Sequence, residues 1–337
     1  MDKVCAVILA AGEGKRMKSL KPKALTCVLF KPMLDWVLDA IEGCNITDSC
    51  VVVGHKGTEI EVHLDGRSEV AYQTERLGTG HAVMQAADYL RRTSAENVLI
   101  LNGDAPFIDS QTIEASLGAH LAMGSAVTVI SAKISDPTGY GRIVRAADGR
   151  FLKIVEQRDA TEAEKMITEV NSGAYWFNKE ALLDSLTKIS QENDAGEYYL
   201  TDTVEKIKEA GKIAYVYMTD NADVILGANN RVQLMQLNKI ARKQVLLKHM
   251  VNGVDIPCTD GIIIGTDVVI GAETTILPNT IIRGSTEIGS LCELGPNCLI
   301  DNSKLGDNVK AHNVEIENSF VSANTALDAF KRLSSNA

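Results

Sequence analysis

The sequence predicts an α/β domain built on a mixed, mostly parallel sheet, followed by a helical arm and a short parallel β-helix of hexapeptide repeats. Three observations carry that prediction. Strand and helix signals alternate over the first two-thirds of the chain, as they do where helices cover both faces of a parallel sheet. One long helical run then begins at about Asn229. After it, an aliphatic residue recurs at every sixth position from Ile264 to Ile300.

The elements follow in order. β-rich runs are VCAVILA (4–10), SCVVVGH (49–55), EVAYQ (69–73), NVLILNGD (97–104), AVTVISAKI (126–134) and IAYVYMT (213–219). Helix-like stretches between them include GTGHAVMQAADYLRR and SQTIEASLGAHLA, the latter with Ser110 placed as its N-cap. The arm reads NNRVQLMQLNKIARKQVLLKHM. In the repeat region Ile264, Ile270, Ile276, Ile282, Ile288, Leu294 and Ile300 hold one register, and four of the seven are followed directly by glycine. Each rung of such a stack buries one aliphatic side chain, and its tight corners favour Gly, Asn and Asp. An irregular β-sandwich would not keep a single register over seven repeats. Beyond Ile300 the register slips to Leu305, and the tail TALDAFKRLSSNA reads as a short helix capping the stack. The expected divisions are 1–227, an arm over 228–250, the β-helix over 251–322 and a tail over 323–337.

Bulk properties narrow the function. A chain of 337 residues has room for two domains. Its formal net charge of −10 argues against nucleic acid or an anionic membrane as the main partner, so any bound phosphate must meet a local cluster of cations. Seven cysteines include no C-x-x-C pair, and Cys5 and Cys50 lie in apolar runs, which suits reduced core thiols in a cytoplasmic protein. The first apolar run breaks at glycine too early for a signal peptide, and no segment has the length of a membrane span.

The opening loop LAAGEGKRM (9–17) leaves the carboxyl end of the first strand, where ligands of open α/β sheets bind. Small residues let backbone N–H groups approach a phosphate or a base edge, and Lys15 and Arg16 can neutralise phosphate oxygens. The loop matches neither the P-loop nor the dinucleotide fingerprint, and taken alone it could be a plain structural turn.

Further motifs change that balance. LAAGEGKRM with KPKAL (21–25) resembles the start of the sugar-1-phosphate nucleotidylyltransferases. YQTERLGTGHA, LNGDAPF, DPTGYGRIV, IVEQRDA, EVNSGAYWF, GEYYLTD and GANNRVQL then arrive in order. Together they resemble the uridylyltransferase half of the bacterial bifunctional N-acetylglucosamine-1-phosphate uridylyltransferase/glucosamine-1-phosphate acetyltransferase family. That resemblance implies a Rossmann-like nucleotide-diphospho-sugar transferase domain, a left-handed β-helix, and a role in supplying UDP-N-acetylglucosamine for cell-wall peptidoglycan. The implied partners are UTP and N-acetylglucosamine 1-phosphate, the implied cofactor is Mg2+, and the implied assembly is a homo-oligomer, a trimer in the family.

Residue roles are implied in the same way. Leu9, Ala10, Ala11 and Gly12, with Gln73, Gly78 and Thr79, would cradle uridine, Gln73 reading the uracil edge. Arg16 and Lys23 would face the phosphates. Asp104 and Asn229 would hold Mg2+. Gly141, Glu156 and Asn171 would hold the acetamido sugar, with Asn102 and Gly103 nearby. Asn102 departs from the family, which usually has tyrosine there.

The chemistry fits those roles. A sugar phosphate oxygen attacks the α-phosphorus of UTP in line and expels pyrophosphate. The nucleophile is already an anion, so the demand is to overcome repulsion and stabilise charge, not to remove a proton. Mg2+ does so while keeping waters and substrate oxygens, which is why one carboxylate and one amide suffice.

Blander readings stand beside these. Asp104 could be a cap before a helix, Glu156 a surface residue of a hairpin, and Asn229 or Asn230 a helix N-cap. Arg142 could pair with a carboxylate and do nothing catalytic, and His81 reads as a helix-face residue. A nucleotidylyltransferase for another sugar phosphate or base, or a silent regulatory subunit, are the competing functions. The acetyltransferase motifs of the family are missing, and His312 in KAHNVEIEN does not match its catalytic segment, so acetyl transfer is expected to be absent.

Overall fold

The structure, a computed structural model, describes residues 3–334. The chain divides into two compact units, residues 1–26 with 32–231, and residues 27–31 with 232–337.

The first unit is a nine-stranded sheet. Its strands are β1 (Val4–Ala10), β2 (Ser49–Val53), β3 (Glu69–Tyr72), β4 (Asn97–Asn102), β5 (Val127–Lys133), β6 (Arg142–Arg145), β7 (Phe151–Val155), β8 (Glu169–Asn178) and β9 (Ala214–Met218). The order is β9-β5-β8-β4-β1-β2-β3, with β6 pairing β8 and β7. β1 pairs in parallel with β2 and β4, β2 with β3, and β5 with β9. β8 runs antiparallel to both β4 and β5, which makes the sheet mixed as well as mostly parallel. All six expected strands are present. β8 and the β6–β7 hairpin are additional.

The alternation of side chains along β1 explains the two-layered core. Cys5 and Val7 pack into one apolar cluster while Ala6 and Ile8 pack into the other, all at 0% exposure. Both faces being covered, the parallel strands read as continuous apolar runs. Helix Ser110–Ala122 is capped by Asp109, whose carboxylate accepts from the Thr112 N–H at 2.6 Å. Ser110 is therefore the first helical residue and not the cap. Its hydroxyl donates to the Ala40 carbonyl at 2.9 Å instead. The seven cysteines are free, and burial pushes Cys5 and Cys50 up to about 12. Among the described residues no helix is long and apolar enough to cross a membrane.

The second unit holds most of helix Arg231–Val251 and a left-handed parallel β-helix whose short strands form three parallel sheets. Ile264, Ile282 and Ile300 stack in register on one sheet, Ile270 and Ile288 on the next, Ile276 and Leu294 on the third, all buried. The slip after Ile300 is a shortening of the coil. Leu305, Ala311, Ile316 and Val321 continue the stack, all buried, with Ile316 only 16 positions after its partner Ile300. Corners turn through asparagines in the left-handed region, including Asn279, Asn297 and Asn313, whose side-chain amides form a ladder at 3.2 and 2.9 Å.

The expected capping helix is not formed. Ala326–Leu327 and Arg332–Ser334 are strands, with Leu327 opposite Ala311 and Leu333 opposite Ile316, so the stack passes the expected boundary at residue 322. Leu327, Phe330 and Leu333 recur at a spacing of three, which mimics a helix face. Phe330 instead takes a left-handed corner, at φ 64°. Residues 335–337 of that tail lie outside the described residues.

Candidate active site

The carboxyl ends of β1 and β4 meet at the centre of the sheet, where Leu9 and Asn102 are direct partners. The chain leaves β1 through Ala11 and Gly12 and closes at Gly14 (φ 64°), where a Cβ would stand 2.9 Å from the Cβ of Lys23. Glycine is thus required for the loop to lie against the lysine stem. On the other side, β8 breaks register between Asn171 and Tyr175. This bulge turns Asn171 so that its amide donates to the Tyr175 hydroxyl at 2.5 Å and its Oδ1 accepts from the Gly173 N–H at 3.0 Å.

Two cavities open here. One, of about 280 Å3, is lined by Ala11, Gly12, Gln73 and Gly78 among others. The second, of about 250 Å3, is lined by Gly141, Glu156, Asn171 and Asn229 among others. Leu9, Thr79, Asn102 and Asp104 line both, forming a shared wall. The residues expected around a nucleotide thus collect in one cavity and those expected around a sugar in the other.

Four expected residues line neither cavity: Lys23 meets the shared wall only through its ion pair with Asp104, and the other three sit elsewhere. Ala10 is buried in β1, and the Gly103 N–H donates to the Leu9 carbonyl at 2.9 Å, so both shape the wall without lining a cavity. Arg16 lies exposed on the 3-10 turn Lys15–Met17, whose two ends are both left-handed, and lines neither cavity.

The shared wall carries an ion pair at Asp104. Lys23 Nζ forms an ion pair with Asp104 Oδ2 and donates to Asn229 Oδ1 at 2.7 Å. One carboxylate oxygen and one amide oxygen therefore converge on a single cationic point, and an oxygen donor set of this kind suits a hard divalent ion that also keeps water and substrate oxygens. Among the described residues there is no cluster of three or more His, Cys, Asp or Glu side chains that could hold a metal by themselves. Asn229, weighed as a helix cap, has its side-chain oxygen on Lys23.

In the first cavity the Gln73 side chain is buried, with Nε2 donating to the Gly78 carbonyl at 3.1 Å and lying 3.1 Å from His81 Nδ1. His81 sits on helix Thr79–Gln85 and stacks on Tyr198 at 6.2 Å between ring centres. In the second, burial raises the proton affinity of Glu156, and the Thr201 hydroxyl, donating to Oε1 at 3.1 Å, partly offsets this. Glu156 follows the last residue of the β6–β7 hairpin but lines the cavity, so it is not a plain surface residue. The Asn102 amide packs directly over Gly173 (φ 77°), leaving no space for a side chain there.

Arg142 is 1% exposed, and among the described residues no carboxylate forms an ion pair with it. It donates to Gln157 Oε1 at 2.8 Å and to the Tyr140 carbonyl, and burial lowers its proton affinity. The Gly139 N–H donates to the same Gln157 oxygen at 3.0 Å, so the pair fastens the glycine loop beside the second cavity. Sequence reasoning missed Arg76 and Glu197 in the first cavity and Tyr140, Tyr175 and Thr201 in the second. Their motifs were visible, but nothing in the spacing says which side chain turns inward. Arg76 pairs with Glu13, tying the opening loop to the loop after β3 and holding the Glu13 carboxyl below its usual range.

A mixed α/β sheet with a glycine-lined cleft at its strand ends has the geometry at which α/β proteins bind nucleotides. Residues 5–227 match the nucleotidyl transferase family, and the chain belongs to it. Residues 267–302 match the bacterial transferase hexapeptide, six repeats. The chain is 45% identical over 268 residues to the bifunctional protein GlmU of Thermoanaerobacter pseudethanolicus, and 41% identical over 268 residues to that of Acetivibrio thermocellus. Each match covers 80% of this chain and 58% of the relative, so the chain spans little more than half the length of these relatives. A provisionally named glucose-1-phosphate thymidylyltransferase from Bacillus anthracis, solved with a sucrose, has the same fold. Its TM-score is 0.58 at 19% identity, over 71% of this chain and 95% of that one.

Proposed function

We propose that this chain transfers UMP from UTP to N-acetyl-α-D-glucosamine 1-phosphate in a Mg2+-dependent reaction, giving UDP-N-acetylglucosamine and pyrophosphate. The observation that carries the reading is the shared wall. Two cavities of sizes fit for a nucleoside and a sugar adjoin at Leu9, Thr79, Asn102 and Asp104, so two anions bound in them would meet beside Lys23. Similarity to the two GlmU proteins favours the uridine and N-acetylglucosamine assignment over glucose 1-phosphate or dTTP.

In this reading Ala11, Gly12 and Gly78 seat the base and ribose through backbone groups, with Gln73 set to meet the uracil edge. Glu156 and Asn171 orient the sugar through its hydroxyl and amide groups. Asp104 and Asn229 would hold Mg2+, which supplies Lewis-acid neutralisation of phosphate charge when bound. Lys23 adds positive charge where it develops on the α-phosphoryl group. Arg16, on its exposed turn, would reach only phosphates projecting out of the cleft. Acetyl transfer lies outside this reading. His312, the only histidine after residue 251, is bonded to the Gly295 carbonyl on the side of the stack. The reading includes a cytoplasmic setting, in keeping with seven free cysteines.

A pyrophosphate-release assay of UTP against a panel of sugar 1-phosphates, with and without Mg2+, tests it. N-acetylglucosamine 1-phosphate should be the best acceptor, and Asp104→Ala should lower kcat by roughly 10²-fold or more without unfolding the chain. Faster turnover of glucose 1-phosphate would refute the substrate assignment. The β-helix is read as a trimerisation element, and a monomer in sedimentation equilibrium would remove that part.

A further inference from the structure

The Lys23 ammonium stands where two oxygens converge, one from Asp104 and one from Asn229. Its side chain is only 11% exposed, so the charge depends on these partners in place of water. The stem has little freedom, because the Gly14 backbone lies against Cβ and Cγ and the backbone is fixed in the 3-10 turn Lys23–Leu25. A divalent ion bound to the same two oxygens would sit about 2.1 Å from each. It would occupy the space of the ammonium and repel its charge.

We propose that Lys23 is a built-in competitor for the divalent cation. It holds Asp104 and Asn229 together in the nucleotide-free protein and is displaced when the cation binds. This rests on the metal reading given under Proposed function and adds a consequence to it. Phosphate oxygens of the nucleotide offer the displaced ammonium a new partner, so nucleotide and cation each favour the other's binding. Metal affinity is thereby low until substrate arrives, and Lys23 is delivered to the phosphates by the same event. Coupling of this kind is reciprocal.

The test uses Mn2+ alone as the probe, with free ion counted by electron paramagnetic resonance, on the full chain without nucleotide. Lys23→Met should bind Mn2+ roughly tenfold or more tightly than wild type, while Lys23→Arg, which keeps the charge, should stay near wild type. Adding Asp104→Asn to Lys23→Met should abolish the gain. If Lys23→Met binds no tighter, or if Lys23→Arg tightens equally, charge competition is refuted while the metal site stands. If Asp104→Asn alone leaves Mn2+ binding unchanged, or no chain binds Mn2+ at millimolar concentration, the metal reading itself falls and the proposal with it. A measurement on the wild-type chain guards against misfolded variants. Acylation of the Lys23 amine, followed by peptide mass spectrometry, should rise when Mg2+ is added, and unchanged labelling would overturn the displacement.

Discussion

Glu156 shows how a single side chain can serve a site at a cost to the fold. Its carboxyl, part-buried beside the second cavity, holds a proton more tightly than it would in the unfolded chain. A group shifted in that direction contributes stability that is complete at acid pH and is lost as pH rises through the raised value. Glu156→Gln should therefore raise the melting temperature at neutral pH and flatten its decline between acid and neutral pH. The same change should raise KM for the sugar 1-phosphate about tenfold, with kcat nearly unchanged, if the carboxylate accepts sugar hydroxyls. Melting curves and initial rates on one protein preparation check both halves. At this scale the sequence was legible only through resemblance. No spacing rule pairs Gly141 with Glu156, yet a Cβ on Gly141 would lie 3.4 Å from that carboxylate. Arg76 and Thr201 stayed hidden for the complementary reason, since a loop residue and a residue in the first turn of helix Leu200–Glu209 leave no periodic trace.

Elements behave differently, because packing repeats. His120 on helix Ser110–Ala122 lies between β4 and β5, within 2.9 Å of the Thr128 hydroxyl and 3.2 Å of Asn97 Oδ1, and is 1% exposed. Burial lowers it from 6.5 to about 4, so the unfolded chain takes up a proton first as pH falls. Stability is thus intact above pH 6.5 and drains away between 6.5 and about 4. His120→Gln should flatten that slope relative to wild type, measured by chemical denaturation across the interval. Strands with uninterrupted apolar runs, and rungs with a six-residue period, were readable because each repeats one environment. β8 was not, since glycine and polar residues at Asn171, Ser172 and Gly173 interrupt its pattern where the bulge forms. The last coil was misread because Leu327, Phe330 and Leu333 fall three apart, which over so short a length is also the spacing of a helix face.

At the scale of the whole molecule, an anionic chain sets the Lys23 ammonium against the wall shared by two cavities of the first unit. On the proposed reading, two substrates occupy adjoining chambers separated by no more than Leu9, Thr79, Asn102 and Asp104. A molecule carrying both a uridine and an N-acetylglucosamine fills both chambers at once. The finished nucleotide sugar should therefore act as a competitive inhibitor against either substrate, whichever is varied. Initial-rate measurements that gave pure noncompetitive patterns against both would contradict a common partition. A dividing wall of four residues would thus make the enzyme's output a brake on its own supply.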